Sequence, residues 1–281
     1  MREQAREHVF ECGKQDCSST LTALRSSIER LEAQHFKIHG ETSSLRKAML
    51  GHAEADATLQ GGLALDAVHE VFAQEGRQSA AATGFVAALA SRLAGRRPIV
   101  WIRQDFTEIE AGVVSMNGLV ELGLDPRLLV TVCASDVDHA LRTAADALVC
   151  DAVGVVVMEV WGEAKQLDLV ASRKLTLAAQ AAGTTGLLLR IAAEPHASTA
   201  ETRWIVRAAH SPPSSQPLGA WGAPLFEAQL VRNRHGPVGR WIMEWKCDEC
   251  LFDQPAAYSQ PVAATPAHRP HQASTILRRA S

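Results

Sequence analysis

Five short apolar runs recur along the middle of the chain, at Val68–Phe72, Ile99–Ile102, Leu128–Val132, Val153–Val160 and Gly186–Ile191. Their starts lie about 25 to 33 residues apart, and that interval holds a strand, a crossover helix and two short loops. A hairpin needs far less chain, so the spacing predicts a parallel sheet flanked by helices. The run Val153-Gly154-Val155-Val156-Val157-Met158 has no polar side chain, as expected of a central strand buried on both faces.

Helix boundaries are written between these runs. Phe85, Leu89 and Leu93 share one face before Gly95, and Ser135-Asp136-Val137-Asp138 resembles a capping box ahead of a helix over Ala140–Val149. Another helix should run from Asp168 to Ala182 and stop at Gly183. After Ile191 shorter strands are expected at Arg203–Ala208, Leu225–Val231 and Arg240–Trp245, with a turn at Arg234-His235-Gly236-Pro237. These should add an antiparallel extension to an otherwise mainly parallel α/β sheet.

The flanks differ in character. Residues 1–55 are polar apart from a helical stretch, Thr20 to Phe36, where Leu21, Leu24, Ile28 and Leu31 form one narrow seam. Two heptads are short for an independent coiled coil, so the segment docks on its own core, associates with a second copy or a partner, or stays disordered. Residues 56–253 form the α/β core. Residues 254–281 carry Pro255, Pro261, Pro266 and Pro270 among small and polar residues and are expected to be a disordered tail.

Charge excludes one shortcut to function. With 28 Lys+Arg against 31 Asp+Glu the formal net charge is −3, without the strong basic excess of a domain held to nucleic acid by bulk electrostatics. No apolar run reaches the length of a membrane span and the first residues, Met1 to His8, lack the apolar stretch of a signal peptide. A cytoplasmic location and reduced cysteines are therefore expected.

In a parallel α/β domain the first strand-to-helix turn is the usual phosphate site, because backbone N–H groups and the helix dipole converge there. Here it reads Ala73-Gln74-Glu75-Gly76-Arg77-Gln78-Ser79-Ala80. Together with Gly61-Gly62-Leu63-Ala64-Leu65-Asp66, the Val68–Phe72 strand and the helix bearing Phe85 and Leu89, this turn resembles the RecA-type recombinase core. More specifically, residues 55 to 250 resemble the inducible mutagenesis A (ImuA) proteins, degenerate relatives of RecA and SulA. Laid on the phosphate-loop pattern G-x-x-x-x-G-K-[ST], the glycines fall on Ala73 and Gln78, the lysine on Ser79 and the hydroxyl on Ala80. The lysine charge and the Mg²⁺-binding hydroxyl are both lost. Gly76, Arg77 and Ser79 are what remains of a vestigial loop.

Other positions implied by that resemblance are altered too. Glu159, in Met158-Glu159-Val160-Trp161, stands at the metal-side acidic (Walker-B-like) position with a side chain one methylene longer than the expected Asp. The water-activating position falls near Gln104-Asp105. Arg190-Ile191-Ala192-Ala193 lacks a phosphate-sensing amide, and the loop from Ala192 to Thr199 is much shorter than a recombinase DNA loop. No catalytic residue, ATP hydrolysis or cofactor is expected.

Cys247-Asp248-Glu249-Cys250 has half of a zinc-site spacing, completed only by the distant His268 and His271 or Cys12 and Cys17. Idle reduced thiols and no metal are expected. Arg203, Arg207, Arg232, Arg234 and Arg240, with Trp204, Trp221 and Trp241, form the single basic and aromatic concentration. Such a set suits single-stranded DNA, a protein interface or, for the tryptophans, a core. The candidate partner or DNA surface is Arg203, Arg207, Arg232, Arg234, Arg240 and Trp241.

The resemblance implies a non-catalytic accessory role in the SOS response, supporting error-prone translesion synthesis. Its implied partners are a Y-family-like polymerase homologue of the ImuB type and an error-prone DnaE-type polymerase, with RecA and self-association as further partners and recruitment to the nucleoid. The competing class is a nucleotide-dependent regulatory ATPase or DNA-binding protein with a non-standard phosphate site at Gly76, Arg77 and Glu159.

Overall fold

The computed structural model describes residues 46–211 and 222–255. The seam Leu21, Leu24, Ile28 and Leu31, the tail beyond Pro255, Trp221 and the remote zinc candidates Cys12, Cys17, His268 and His271 lie outside the described residues.

A short hairpin, β1 (Lys47–Ala48) and β2 (Leu63–Ala64), encloses helix α1 (Ala53–Thr58). The main chain then alternates: β3 (Val68–Ala73), α2 (Ser79–Ala94), β4 (Ile99–Gln104), α3 (Asp105–Ala111), α4 (Met116–Glu121), β5 (Leu129–Ala134), α5 (Val137–Leu148), β6 (Val155–Trp161), α6 (Leu169–Ala182) and β7 (Thr185–Ile191). Four strands follow: β8 (Thr202–Ala208), β9 (Leu225–Asn233), β10 (Gly239–Lys246) and β11 (Leu251–Asp253). The nine-stranded sheet has the order β11-β10-β9-β8-β3-β7-β6-β4-β5.

All five expected strands are present and parallel to their neighbours. β6 lies in the sheet interior, buried from Val155 to Val160. The antiparallel extension is present but is joined differently at each end: β8 pairs parallel with β3 on one side and antiparallel with β9 on the other, and β11, which the sequence reading does not include, follows β10. Residues 192–201 return β7 to the start of β8 without a helix, which hides the crossover from a reading based on helical periodicity. They run back along β3, with Ala192 N–H donating to Ala73 O at 2.7 Å and Glu201 N–H to Val68 O at 2.8 Å.

Two apolar cores lie on opposite faces. On one, the Ala-rich α2 approaches the sheet closely and Phe85 meets Trp204, Phe226 and Phe252. On the other, α5 and α6 cover Val68, Val156, Met158 and Leu188. Both of these helices are capped as the sequence indicates. Asp136 accepts from His139 N–H at 2.7 Å and Asp168 from Ala171 N–H at 2.8 Å, and Gly183 closes α6 in the left-handed region at φ 70°. His139 stands where a full capping box would carry Glu or Gln, so α5 has half of that motif.

Residues 46–55, read with the N-terminal segment, belong to the core. Leu50 is fully buried, its N–H donates to Asp56 at 2.7 Å, and its carbonyl accepts from Phe252 N–H at 2.9 Å. No helix among the described residues is long and apolar enough to cross a membrane.

Candidate functional site

The vestigial loop sits at the carboxyl end of β3, in the middle of the sheet, where an α/β domain ordinarily holds its ligand. Gly76–Gln78 forms a 3-10 turn that leads into α2 at Ser79. Two N–H groups are spent locally: Gln78 N–H donates to Glu75 O at 2.9 Å and Ser79 N–H to Gly76 O. No side chain caps the start of α2.

The loop is tied down on three sides. Gln74 donates to Glu194 Oε2 at 2.8 Å and Gln78 Oε1 accepts from Ala208 N–H at 2.9 Å. Trp161 packs beneath Gly76 so closely that a Cβ there would lie 3.0 Å from two indole carbons. A larger residue here would require the Trp161 ring to shift by a few tenths of an ångström. Arg77, the one cation of the loop, is ion-paired with Glu75.

Acidic side chains gather on one side of the loop. Besides Glu75 and Glu194, Glu163 accepts from Glu194 N–H at 2.7 Å and pairs with His196 Nε2 at 2.6 Å. The Glu194 amide first, and His196 second, hold the Glu163 carboxyl below its ordinary range. On another side Arg207 reaches the loop, donating to Gln74 Oε1 at 3.5 Å.

Glu159 lies on the α2 face of the sheet and is wholly buried. Its Oε2 accepts from Trp101 Nε1 at 2.8 Å and Arg103 Nε at 2.9 Å, and its Oε1 from Arg103 at 3.2 Å. Arg103 also donates through both terminal nitrogens to Gly112 O at 3.1 Å. The positive charge opposite the acidic position is thus part of the chain. Among the implied catalytic positions, Asp105 opens α3 exposed to solvent, while Gln104 is half-buried.

A second buried ion pair lies on the opposite face, where Arg203 Nε donates to Glu70 Oε2 at 2.7 Å. Arg203 also donates to Ser198 Oγ at 2.8 Å and His196 O at 2.5 Å. It shares the Phe72 ring with Arg190, their guanidinium carbons 5.6 and 5.8 Å from its centroid. Burial pulls Arg190 below the usual guanidinium range.

These contacts revise the basic surface. Arg203 is not available to a partner, because the 192–201 loop covers it and Glu70 neutralises it. Trp241 is also internal: β10 turns Trp241, Met243 and Trp245 inward, and Trp241 lies 6.1 Å from the buried Trp204. Arg232 is half-buried and donates to Ser198 O at 2.7 Å, so it holds the same loop. Arg207, Arg234 and Arg240 remain exposed. Arg240 pairs with Glu227 at 2.6 Å, and Arg207 approaches the same carboxylate at 4.0 Å.

Sequence reading missed Arg103 and Glu70. Arg103 shares the inward parity of Ile99 and Trp101 and stands opposite Glu159 in the β4–β6 register, a signal detectable once strand pairing is known. Cys247 and Cys250 lie in the β10–β11 turn, where Cys250 Sγ donates to Cys247 O at 3.4 Å. Burial raises the Cys247 thiol. No cluster of three or more ligating side chains occurs among the described residues.

No family model matches the chain. Among curated proteins it is similar to "Protein ImuA" of Caulobacter vibrioides, strains NA1000 / CB15N and ATCC 19089 / CIP 103742 / CB 15. Each is 31% identical over 198 residues, covering 66% of this chain and 77% of the relative.

Proposed function

The chain belongs to the ImuA family, and from that membership we propose that it serves DNA-damage-induced mutagenesis as a non-catalytic, RecA-like accessory protein. It supports error-prone translesion synthesis by binding components of the polymerase complex. The observation that carries the non-catalytic half of this reading is the state of the phosphate loop. Ser79 and Ala80 replace the lysine and the metal-binding hydroxyl, Gly76 rests on Trp161, and Glu159 is fully engaged by Trp101 and Arg103.

A sheet kept intact while its phosphate chemistry is gone is explained by binding. The partners in this reading are a Y-family-like homologue of the ImuB type, an error-prone DnaE-type polymerase and RecA. The exposed Arg207, Arg234 and Arg240 are the contact surface, and the seam Leu21, Leu24, Ile28 and Leu31 is a route to self-association. The protein works in the cytoplasm and joins the nucleoid when recruited to damage.

The reading is tested by purifying the chain with each polymerase component and measuring binding by sedimentation, alongside ATP turnover with and without single-stranded DNA. Complex formation with no turnover is the expected result. Recombinase-like turnover that Arg77→Ala or Glu159→Gln abolishes would remove the non-catalytic assignment.

A further inference from the structure

The two edges of the main sheet differ. At one end β11 is only three residues long, and the segment before α1 closes it, Phe252 N–H donating to Leu50 O at 2.9 Å. At the other end β5 is hydrogen-bonded to β4, and among the described residues no backbone group of residues 129–134 bonds elsewhere. Alternate residues of a strand turn their N–H and C=O groups away from a neighbour, so β5 presents a row of open donors and acceptors. Edge strands are usually kept apart by charge, proline, a bulge or a cover. The run Leu128-Leu129-Val130-Thr131-Val132-Cys133-Ala134 has no charge and no proline, and β5 follows β4 residue for residue with no bulge. Because α5 lies mainly over β6 and β4, Val130 is 51% exposed, and Thr131 and Cys133 are exposed too.

The ends of this run say what can pair with it. Arg127, which pairs with Asp125 at 2.8 Å, precedes the uncharged residues, and Asp136 follows them; both are exposed. A second copy of β5 laid parallel would bring like charges together at each end. Laid antiparallel, it brings each Arg127 beside the Asp136 of the other copy. A two-fold axis normal to the sheet needs one residue opposite itself. With Thr131 in that place the whole run overlaps: Val130 meets Val132 of the second copy, Leu129 meets Cys133 and Leu128 meets Ala134.

We propose that β5 is a self-association edge, where two copies pair antiparallel about a two-fold axis at Thr131 and join their nine-stranded sheets into one. Such an interface is the same patch on both copies and closes on itself, so association stops at the dimer. The apolar side chains of the edge then lie against their counterparts, and the open N–H and C=O groups gain partners. This inference is independent of the mutagenesis reading.

Sedimentation velocity on the full chain tests it. Wild type should dimerise. Thr131→Lys and Thr131→Glu each set like charges opposite each other across the axis and should weaken the dimer about tenfold or more, with circular dichroism showing the fold retained. Mixing the two variants should restore association, because opposite charges then meet. In a Cys133→Ser background, Thr131→Cys should give a disulfide-linked dimer on mild oxidation by air, with mass spectrometry placing the link at position 131 of both copies. A wild type that stays monomeric at about 100 µM overturns the proposal. So does a dimer that neither charged variant weakens, which puts association on another surface, and so does a mixture of folded variants that stays monomeric. A dimer without the link at position 131 overturns the antiparallel register and the proposal with it.

Discussion

Arg103 on β4 and Glu159 on β6 stand directly opposite each other in parallel register and form a buried ion pair, Nε to Oε2 at 2.9 Å. Both side chains are almost wholly withdrawn from solvent. Here the acid joins two strands and, through Arg103, holds Gly112 at the end of α3.

This relationship makes the pair structural. Arg103→Met leaves Glu159 buried and uncompensated and should cost about 3–5 kcal/mol in urea denaturation. Arg103→Met with Glu159→Leu should recover most of that loss, because two apolar side chains leave no buried charge. A stable Arg103→Met single variant would contradict this reading.

His69 gives the fold an acid sensitivity. Its Nε2–H donates to Ala64 O at 2.8 Å and its Nδ1 accepts from the Thr202 hydroxyl at 2.8 Å, and burial lowers its pKa to about 4 from 6.5. Below pH 6.5 the unfolded chain takes up a proton that the folded chain refuses. Stability should therefore fall by about 3 kcal/mol as pH drops from 6.5 to 4 and level off beneath. His69→Gln has no titratable ring, so its denaturation midpoint should lose this part of the pH dependence.

The phosphate loop should not respond to a simple repair. Ser79→Lys with Ala80→Thr restores the two lost side chains but leaves Glu75, Glu194 and Trp161 in place. ATP with Mg²⁺ should shift the Tm of neither wild type nor this double variant, since a ligand that does not bind the native state cannot stabilise it. A shift of several degrees at millimolar ATP would show an open site.

The basic strands separate into two classes by variant. Arg203→Glu places a second carboxylate against Glu70 inside the protein and should abolish folding. Arg234→Glu with Arg240→Glu should leave Tm within about 2 °C and weaken partner binding about tenfold or more. Unchanged binding by that double variant would exclude this surface.

Parts of this architecture were legible in the sequence because one local signal fixed them. The apolar Val153–Met158 run, the Asp168 cap and the Gly183 stop each depend on neighbouring residues alone. What was hidden depends on residues far apart. Alternation places Arg203 and Arg207 on one face of β8, but the coverage of Arg203 alone follows from the path of residues 192–201. Trp241 reads equally as a surface anchor or a core residue until the β9–β10 register is known. α3 and α4 are too short for a helical period, so the exposed apolar patch between Phe106 and Val120 had no sequence signature.

The central claim is tested most directly by damage-induced mutation frequency in a strain lacking this protein, complemented with wild type or with Glu75→Ala/Arg77→Ala, which strips the remaining charges from the loop. The account predicts that deletion lowers induced mutagenesis and that both versions restore it fully. Unchanged mutagenesis on deletion would contradict the role, and a folded loop variant that fails to restore it would contradict its independence of phosphate chemistry.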